Sequence, residues 1–462
     1  MNGAFYIPRV VIAATGSGVG KTTATIALIG ALRARGLKVA SFKCGPDYLD
    51  PTYHRRAAGA NSQNLDGWMM GREAVLATFT RASHGCDIAI VEGMMGLFDS
   101  ATPTGDEGST AEIAKWLEAP VLLVVDASGM ARSIAAMASG YADFDRALKL
   151  AGVICNRVGS RGHLDMLRQA STAVPVVSGL PGSAEIAFPE RHLGLRTADD
   201  DAVPQRLFEA WTKIAAEWLD LDAITSIARS APELPMIRIA GSNGHRPRIC
   251  RIGVAWDDAF HFYYEDNLRR LEEAGAELVR FSPSRDAMLP AVDGLYFGGG
   301  YPEVLARELS VNHAMFDGIR HFAESSRPIY AECGGLMYLA EAIRTLDGAT
   351  WPMAGLIPGV AVMSSHLQAL GYVEVETRAP SMLGPTGTRF RGHQFRYSIL
   401  DRDGAEPLPH LYTVRPRWGL EFQEGYARED LVASYVHAHW ASNPHIPEAL
   451  VLACANVRAR KF

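Results

Sequence analysis

Cysteine is scarce in this sequence, and the few cysteines are not grouped. Six occur among 462 residues without a Cys-x-x-Cys pair, which argues against a zinc site and against a disulfide framework. No apolar run reaches the roughly 18 residues that a membrane span needs. Basic residues are not in excess, because the net charge is −6, so a nucleic acid partner is not indicated. The chain starts without a basic, apolar signal region, and we expect a cytoplasmic protein with neither membrane nor nucleic acid as a partner.

One glycine is missing from the stretch Ala14–Thr23, which otherwise has the pattern of a phosphate loop. An apolar run precedes it and a helix-compatible segment follows, and this context is typical of nucleotide-binding loops. The usual pattern has glycine where this chain has Thr15. Backbone N–H groups of the loop would hold phosphates, Lys21 would reach the terminal phosphates, and the Thr22 hydroxyl would hold Mg²⁺. The candidate ATP-binding residues of this loop are Gly16, Gly18, Gly20, Lys21, Thr22 and Thr23.

Strand-like and helix-like patterns alternate along both halves of the chain. Near-continuous apolar runs separated by helical stretches predict a parallel sheet covered on both faces in the first half. A cluster of turn-forming residues at 241–248 predicts a linker. We therefore predict an α/β protein with two domains, 1–240 and 249–462. The strands predicted in the first half are Val10–Ala14, Lys38–Phe42, Ile88–Val91, Val121–Asp126, Gly152–Asn156 and Val174–Ser178.

Carboxylates follow two of these strands, at the sheet edge where ligands of α/β proteins gather. Asp47 and Asp50 follow the second strand, whereas Glu92 ends the third and Asp99 comes soon after it. Mg²⁺ takes one or two carboxylates together with phosphate and water oxygens. The alternative is that these residues only form turns. Asn156 ends a later strand. Its side-chain amide would form hydrogen bonds with the edge of an adenine base, or else would cap the backbone where the strand ends.

A cysteine in the second half has the setting of a nucleophile. Cys333 lies between an apolar strand and a helical run, next to Gly334 and another glycine, an arrangement that favours an exposed, strained turn. A helix N-terminus there would favour the thiolate, although most cysteines are simply buried. Gly298 and Gly299 end an earlier strand and would supply N–H groups to an oxyanion. A late strand-like run, 431–440, carries two histidines on one face, His437 and His439, and either would serve as the base.

The first half resembles two related groups of ATP-using enzymes. The stretch Ala14–Thr23, with its displaced glycine, looks like the phosphate loop of dethiobiotin synthetase and its relatives. Three further stretches are similar to the cobyrinic acid a,c-diamide synthase family: Phe42–His54, Val91–Asp99 and Pro189–Leu195. The resemblance implies that Asp47 and Glu92 act with Mg–ATP, together with Thr22. It also implies substrate or activation roles for Lys43, Asp47, Tyr48 and Asp99, and an ATP contact for Asn156.

The second half resembles a class I glutamine amidotransferase domain of the corrinoid-synthesis branch. Arg251–Phe260, Gly298–Glu303 and Glu332–Leu336 match its opening strand, oxyanion loop and nucleophile, and His437 falls at its base position. The match implies that Cys333 and His437 are catalytic and that Gly298, Gly299 and Gly334 form the oxyanion and glutamine site. Ordinary class I domains carry an acidic residue two positions after the histidine, whereas this chain has His439, so the third triad member is unassigned.

Together the two resemblances imply a carbon–nitrogen ligase of cobalamin biosynthesis with glutamine as the amido donor. Such an enzyme amidates the a and c acetates of cobyrinate, with Mg²⁺ as cofactor, ATP and L-glutamine as co-substrates and a corrinoid small molecule as substrate. Hydrogenobyrinate and nickel sirohydrochlorin are alternative substrates, and a homodimer is left open. Two other classes are alternatives: a P-loop nucleotide-switch protein, which would have no use for Cys333, and a glutaminase with a vestigial nucleotide fold.

Overall fold

The computed structural model describes residues 4–182, 203–235, 246–404, 408–428 and 430–459. The chain forms two compact units, Met1–Ile239 and Ala240–Phe462. Among the described residues, no helix is both long enough and apolar enough to cross a membrane.

A parallel sheet forms the centre of the first unit. In chain order the strands are β1 (Ala4–Phe5), β2 (Arg9–Ala14), β3 (Val39–Cys44), β4 (Gln63–Leu65), β5 (Ile88–Glu92), β6 (Val121–Asp126), β7 (Leu150–Val158), β8 (Val176–Pro181) and β9 (Leu234–Pro235). The sheet has the order β4-β3-β5-β2-β6-β7-β8, while β1 pairs with β9 alone. Every residue of β2 is buried, because helices cover both faces of such a sheet. The six strands predicted from the sequence all overlap observed strands, and the three short strands β1, β4 and β9 were not predicted.

Eight helices surround this sheet in the described part of the first unit. They are α1 (Lys21–Ala34), α2 (Asp50–Ala58), α3 (Gly67–Ala82), α4 (Thr110–Trp116), α5 (Ser133–Phe144), α6 (Arg161–Ala170), α7 (Gln205–Trp218) and α8 (Leu221–Arg229). The sequence from Gln205 to about Ile227 has one continuous helical pattern and by itself predicts a single helix, but the structure divides it into α7 and α8. Asp220 interrupts it, because its side chain accepts a hydrogen bond from the Ala223 N–H and so begins a new helix.

The second unit contains a ten-stranded sheet that is half parallel and half antiparallel. Its strands, with those of a smaller sheet, are β10 (Cys250–Ala255), β11 (Ala276–Phe281), β12 (Gly294–Phe297), β13 (Ile329–Glu332), β14 (Ala340–Arg344), β15 (Thr350–Pro352), β16 (Ile357–Met363), β17 (Ala369–Thr377), β18 (Arg389–Arg396), β19 (Ser398–Asp401), β20 (His410–Pro416), β21 (Phe422–Arg428), β22 (Leu431–Ser434) and β23 (His437–His439). The large sheet has the order β11-β10-β12-β13-β22-β21-β20-β17-β18-β23, with the first five strands parallel. The small sheet has the order β15-β14-β16-β19.

Two separate cores cover the faces of this sheet. The helices of the unit are α9 (Glu265–Ala274), α10 (Ala306–Ser310), α11 (His313–Glu324), α12 (Gly334–Leu339) and α13 (His445–Ala459). Successive residues of β12 point to opposite faces, so Phe297 packs in one core with Phe316 of α11, and Tyr296 packs in the other with Leu271 and Val451 of α9 and α13. The unit is therefore an α/β layer structure, as predicted.

The late strand-like run 431–440 is not one strand, in contrast to the prediction. It divides into β22 and β23 at Tyr435–Val436, and β23 pairs with β18 at the far end of the sheet order. A buried carboxylate explains the break: Glu424 accepts hydrogen bonds from the Ser434 hydroxyl at 2.5 Å and the Tyr435 N–H at 2.8 Å. These bonds divert the chain from the β22 ladder towards the position that His437 occupies.

Candidate functional site

The phosphate loop connects β2 to α1 in a conformation that requires glycine. Gly20 has φ of 90° at the start of α1, in the left-handed region that other residues rarely adopt. A Cβ at this position would lie 2.0 Å from Asn156 Nδ2. The same Nδ2 donates a hydrogen bond to the Val19 carbonyl at 2.8 Å. Asn156 therefore fixes the loop from β7, in addition to the adenine contact predicted for it.

Two carboxylates converge on the first turn of α1. The Thr22 hydroxyl donates to Glu92 Oε1 at 2.7 Å and lies 3.4 Å from Asp50 Oδ2. Glu92 ends β5 and Asp50 begins α2, so the parallel order β3-β5-β2 brings both to the edge where the phosphate loop lies. The structure thus unites Thr22 with Glu92, as the resemblance implied.

Two buried side chains, Lys43 and His54, contact these carboxylates. Lys43 Nζ lies 2.6 Å from Asp50 Oδ2 and 2.9 Å from Glu92 Oε1, and His54 Nε2 lies 2.6 Å from Glu92 Oε2. Burial acts against the charge of Lys43, but the carboxylates of Asp50 and Glu92 outweigh it and raise the pKa of the amine. For the same reason Lys43 and His54 lower the pKa of Glu92 in spite of its burial. The Lys43 amine therefore stays charged beside these carboxylates.

Lys21 lies beside this cluster and is less strongly held. Its Nζ donates to the Met95 carbonyl at 3.1 Å. Burial, with the nearby charge of Lys43, lowers the pKa of Lys21 to about 8. A bound anionic phosphate would stabilise the protonated amine of Lys21, so phosphate binding and protonation of Lys21 favour each other.

The donors around Thr22 suit Mg²⁺. Thr22, Asp50 and Glu92 offer one hydroxyl and two carboxylates, which is an all-oxygen set, and Mg²⁺ completes such sets with phosphate oxygens and water. Lys43 shows that a cation is stable between the two carboxylates. Within the described ranges, no group of three or more His, Cys, Asp or Glu side chains is arranged to hold a metal by itself. A metal here would thus depend on the hydroxyl and on the nucleotide.

Asp47 has a different local role from the one implied for it. Its Oδ1 accepts hydrogen bonds from the Leu49 and Asp50 N–H groups at 2.8 and 2.9 Å, and so shapes the turn between β3 and α2. The carboxylate near Thr22 is that of Asp50, which the resemblance had not selected. Tyr48 is half-buried in the same turn. The role of Asp47 with Mg–ATP stays a prediction.

Asp99 flanks the phosphate loop from the segment after β5. Its Oδ2 accepts a hydrogen bond from the Gly96 N–H at 2.7 Å, and its side chain is exposed. A Cβ at Gly96 would lie 3.3 Å from the Thr15 carbonyl oxygen, so this segment packs closely on the loop. Asp99 thus lies in a segment next to the phosphate loop, and its substrate role stays a prediction.

Sequence reasoning missed two residues of this site. His54 was inside a quoted stretch but received no role, although it is fully buried against Glu92. Arg157 directly follows Asn156, donates to the Gly18 carbonyl at 3.0 Å and pairs with Asp126. Its position after a strand-ending asparagine was the only available signal. The stretch Pro189–Leu195, which also carried the resemblance, lies outside the described residues.

Cys333 occupies the strained turn predicted for a nucleophile. It lies between β13 and α12 with φ of 46° and ψ of −102°, a conformation that costs of the order of 1–3 kcal/mol for a residue other than glycine. Burial raises the pKa of the thiol to about 12, and the nearby Glu303 adds to this effect. The resting group is therefore a thiol, not the thiolate expected from the helix N-terminus, and it needs a base.

The glycine loop after β12, residues 298–300, packs between the turn that carries Cys333 and the ring of His437. A Cβ at Gly334 would lie 3.0 Å from the Gly300 nitrogen, and a Cβ at Gly299 would lie 2.3 Å from His437 Cε1. Gly298 is fixed by the Tyr263 hydroxyl, which accepts from its N–H at 2.8 Å. Any side chain at these glycines would separate the nucleophile, the loop and the imidazole.

The two histidines of β23 have different surroundings. The His437 ring faces Gly299, and its Nδ1 is 4.0 Å from Glu332 Oε2. The His439 ring packs on Tyr264 with 4.6 Å between centroids, and its Nδ1 accepts from the Ala441 N–H. Burial, with the nearby His393, lowers the pKa of His437 to about 3. His437 is neutral at rest and can accept a proton, whereas His439 contributes to packing.

Both halves of the chain match known protein families. Residues 10–195 match the family described as CobQ/CobB/MinD/ParA nucleotide binding domain, and residues 251–445 match the CobB/CobQ-like glutamine amidotransferase domain. A cobyrinate a,c-diamide synthase of Leptospira interrogans is 53% identical over 97% of this chain and 98% of its own. Proteins of the same name from Syntrophotalea carbinolica and Dehalococcoides mccartyi are 48% and 42% identical, over 97% and 96% of this chain and 98% and 97% of theirs.

Proposed function

This chain belongs to the cobyrinate a,c-diamide synthase family, and on that premise we propose that it amidates the a and c acetates of cobyrinate with ATP and glutamine. The observation that carries the proposal is the presence, on one chain, of a phosphate-loop cluster and a cysteine elbow with a neutral imidazole. The first activates a carboxylate, and the second releases ammonia from an amide. A nucleotide switch would leave the cysteine elbow without a function, and a plain glutaminase would leave the phosphate-loop cluster without one. Only an amidating enzyme uses both sites.

In the first unit, a corrin acetate would attack the γ-phosphate of ATP to give an acyl phosphate. The carboxylate oxygen thereby becomes a leaving group, which ammonia can displace. Lys21 would stabilise the negative charge that the transferred phosphoryl carries. Thr22, Asp50 and Glu92 would hold Mg²⁺, which supplies charge neutralisation on the phosphates when bound. Asp47, Lys43, Tyr48 and Asp99 would bind or orient the acetate.

In the second unit, Cys333 would attack the side-chain amide of glutamine. His437 accepts the thiol proton as the carbon–sulfur bond forms and returns it to the departing nitrogen. The Gly334 backbone N–H would stabilise the oxyanion, and one such donor is worth about 3–4 kcal/mol in the transition state. The N–H groups of Gly298 and Gly299 already donate to the Tyr263 hydroxyl at 2.8 Å and to the Phe262 carbonyl at 3.3 Å, so these two glycines would shape the glutamine site without donating to the oxyanion. Water then cleaves the thioester to give glutamate.

The proposal includes a cytoplasmic location, with no role for nucleic acid or a membrane, and it leaves a homodimer open. The order in which the a and c acetates are amidated is not part of it. Cobyrinate is preferred because three relatives of the chain carry it in their names. Hydrogenobyrinate and nickel sirohydrochlorin present similar paired acetates and remain the competing substrates.

A turnover comparison of the three tetrapyrroles tests the choice of substrate. With ATP, Mg²⁺ and glutamine in excess, kcat/KM for cobyrinate is expected to exceed the other two by at least about tenfold, which corresponds to 1.4 kcal/mol of transition-state binding. The products are separated by mass, because each amidation replaces a hydroxyl with an amino group. A higher kcat/KM for either alternative would assign the chain to that substrate.

A further inference from the structure

We propose that Glu332 is the positioning residue of the glutamine site: its carboxylate accepts a hydrogen bond from Nδ1–H of His437 and so takes the place of the missing acidic residue at position 439. The inference rests on the proposed function of Cys333 and His437 as nucleophile and base. The positioning role is thus assigned to Glu332 on β13, directly before the nucleophile. It is not assigned to His439 on β23, two positions after the base.

The carboxylate and the imidazole face each other inside the unit. Glu332 Oε2 lies 4.0 Å from His437 Nδ1, and each side chain is 2% exposed. Catalytic hydrogen bonds are often long in ligand-free proteins and shorten when the reactants bind. Shortening of this 4.0 Å contact when glutamine binds would complete the hydrogen bond.

Glu332 also holds the strand that carries the imidazole. Its Oε1 accepts from the Ala438 N–H at 3.1 Å and from the Tyr330 hydroxyl at 2.8 Å, and its Oε2 accepts from the Tyr296 hydroxyl at 3.1 Å. Asn267 fixes the same strand from α9, because it bonds to the Ala438 carbonyl at 2.7 Å and the Trp440 N–H at 2.9 Å. The backbone next to His437 is therefore hydrogen-bonded directly to the carboxylate.

The chemistry of the site needs such a partner. A neutral imidazole is a base at only one nitrogen, and a carboxylate at Nδ1 keeps the proton there, which leaves Nε2 as the acceptor. The same carboxylate stabilises the imidazolium that forms when the Cys333 proton is transferred.

The residue two positions after the histidine cannot serve in this way. His439 packs on Tyr264, and the charged side chains that act on it are Asp266, Arg269 and Arg270. Two of these three side chains are cations, so the surroundings of His439 provide no net negative charge that could stabilise a protonated His437. The third member of the triad thus comes from the nucleophile's own strand.

Proton binding by Glu332 should make the reactivity of the glutamine site depend on pH. Burial raises the pKa of this carboxyl to about 7, while the hydroxyl of Tyr330, the Ala438 N–H and the hydroxyl of Tyr296 act in the opposite direction. Only the ionised form would orient His437, so reactivity is lost as the pH falls through the pKa. The titratable side chains that act on or face Glu332 are Tyr263, Tyr296, Tyr330, Tyr412, Cys333 and His437.

The test compares Glu332→Gln with Glu424→Gln. Both variants remove a buried carboxylate that holds the chain around β22 and β23, but only Glu332 faces the imidazole. We expect Glu332→Gln to lower kcat for glutamine-dependent amidation by about 10²-fold or more, with KM for glutamine and ammonium-dependent kcat little changed. Alkylation of Cys333 by iodoacetamide should slow in parallel. Because Glu424 holds the chain two residues before His437, Glu424→Gln should lower the glutamine-dependent kcat by a smaller factor, below about tenfold, and should leave the acidic limb of the alkylation profile at the same pH.

A second variant covers the case in which Glu332→Gln does not fold. Tyr330→Phe removes one donor to the carboxylate, so the pKa of Glu332 rises and the acidic limb of the alkylation profile moves to higher pH. An unshifted limb, or equal losses in Glu332→Gln and Glu424→Gln, would overturn the inference. If Cys333→Ala still used glutamine, the proposed function itself would fail, which is a separate outcome.

Discussion

Replacing Cys333 with alanine is expected to reduce glutamine-dependent amidation by at least about 10³-fold, because loss of a nucleophile removes covalent catalysis entirely. Amidation from ammonium salts at mildly alkaline pH should continue at the rate of the unchanged protein. The phosphate-loop cluster lies in the first unit and does not depend on this thiol. Product is measured as corrin amide, with glutamine and then ammonium chloride as the only nitrogen source.

The control for this prediction is Cys250→Ala. Cys250 is also buried in the second unit, at the start of β10, and has no place in the proposed chemistry. This variant should keep both activities. Loss of ammonium-dependent activity in Cys333→Ala would contradict the division of labour between the two sites, and retention of glutamine-dependent activity would remove Cys333 from the reaction.

The second large effect is expected for Lys21→Ala. This change should lower amidation from glutamine and from ammonium alike, by about 10²–10³-fold, the usual cost of one electrostatic donor to a transition state. Alkylation of Cys333 by iodoacetamide, which needs no ATP, should be unaffected. The reason is that Lys21 faces the proposed phosphate site, while the thiol reaction depends on the second unit alone.

A lysine outside the site provides the comparison. Lys149 is exposed and its Nζ donates to the Ser230 hydroxyl at 2.8 Å, away from the phosphate loop, so Lys149→Ala should retain amidation. Because burial and Lys43 lower the pKa of Lys21 to about 8, ATP binding by the unchanged protein should weaken as the pH rises through that value. The Lys21→Ala protein should lose this dependence. An equal weakening in both proteins would assign the titration to another group.

Local patterns were enough to predict the turns that carry chemistry. Gly20 before Lys21 predicted the phosphate loop, and Cys333 between a strand and two glycines predicted the elbow, because both signals lie within a few residues. The strands of the parallel sheets were found for a related reason, since strands buried on both faces are continuous apolar runs.

Relations that depend on topology could not be read from the sequence. Glu332 and Ala438 are bonded although they are 106 residues apart, and the order of the sheet brings them together. The division of the run 431–440 depends on Glu424 from another strand. Asp47 and Asp50 differ by three positions, and only the turn after β3 decides which carboxylate reaches Thr22 and which caps the turn.

The most direct test of the account is the amount of ADP and glutamate formed with cobyrinate, ATP, Mg²⁺ and glutamine present together. The account predicts equal amounts of ADP, glutamate and new amide, because each acetate consumes one phosphoryl group and one ammonia. Glutamate formed without ADP would indicate a plain glutaminase, and ADP formed without amide would indicate a nucleotide switch. Either result would contradict the coupling of the two sites in one amidation.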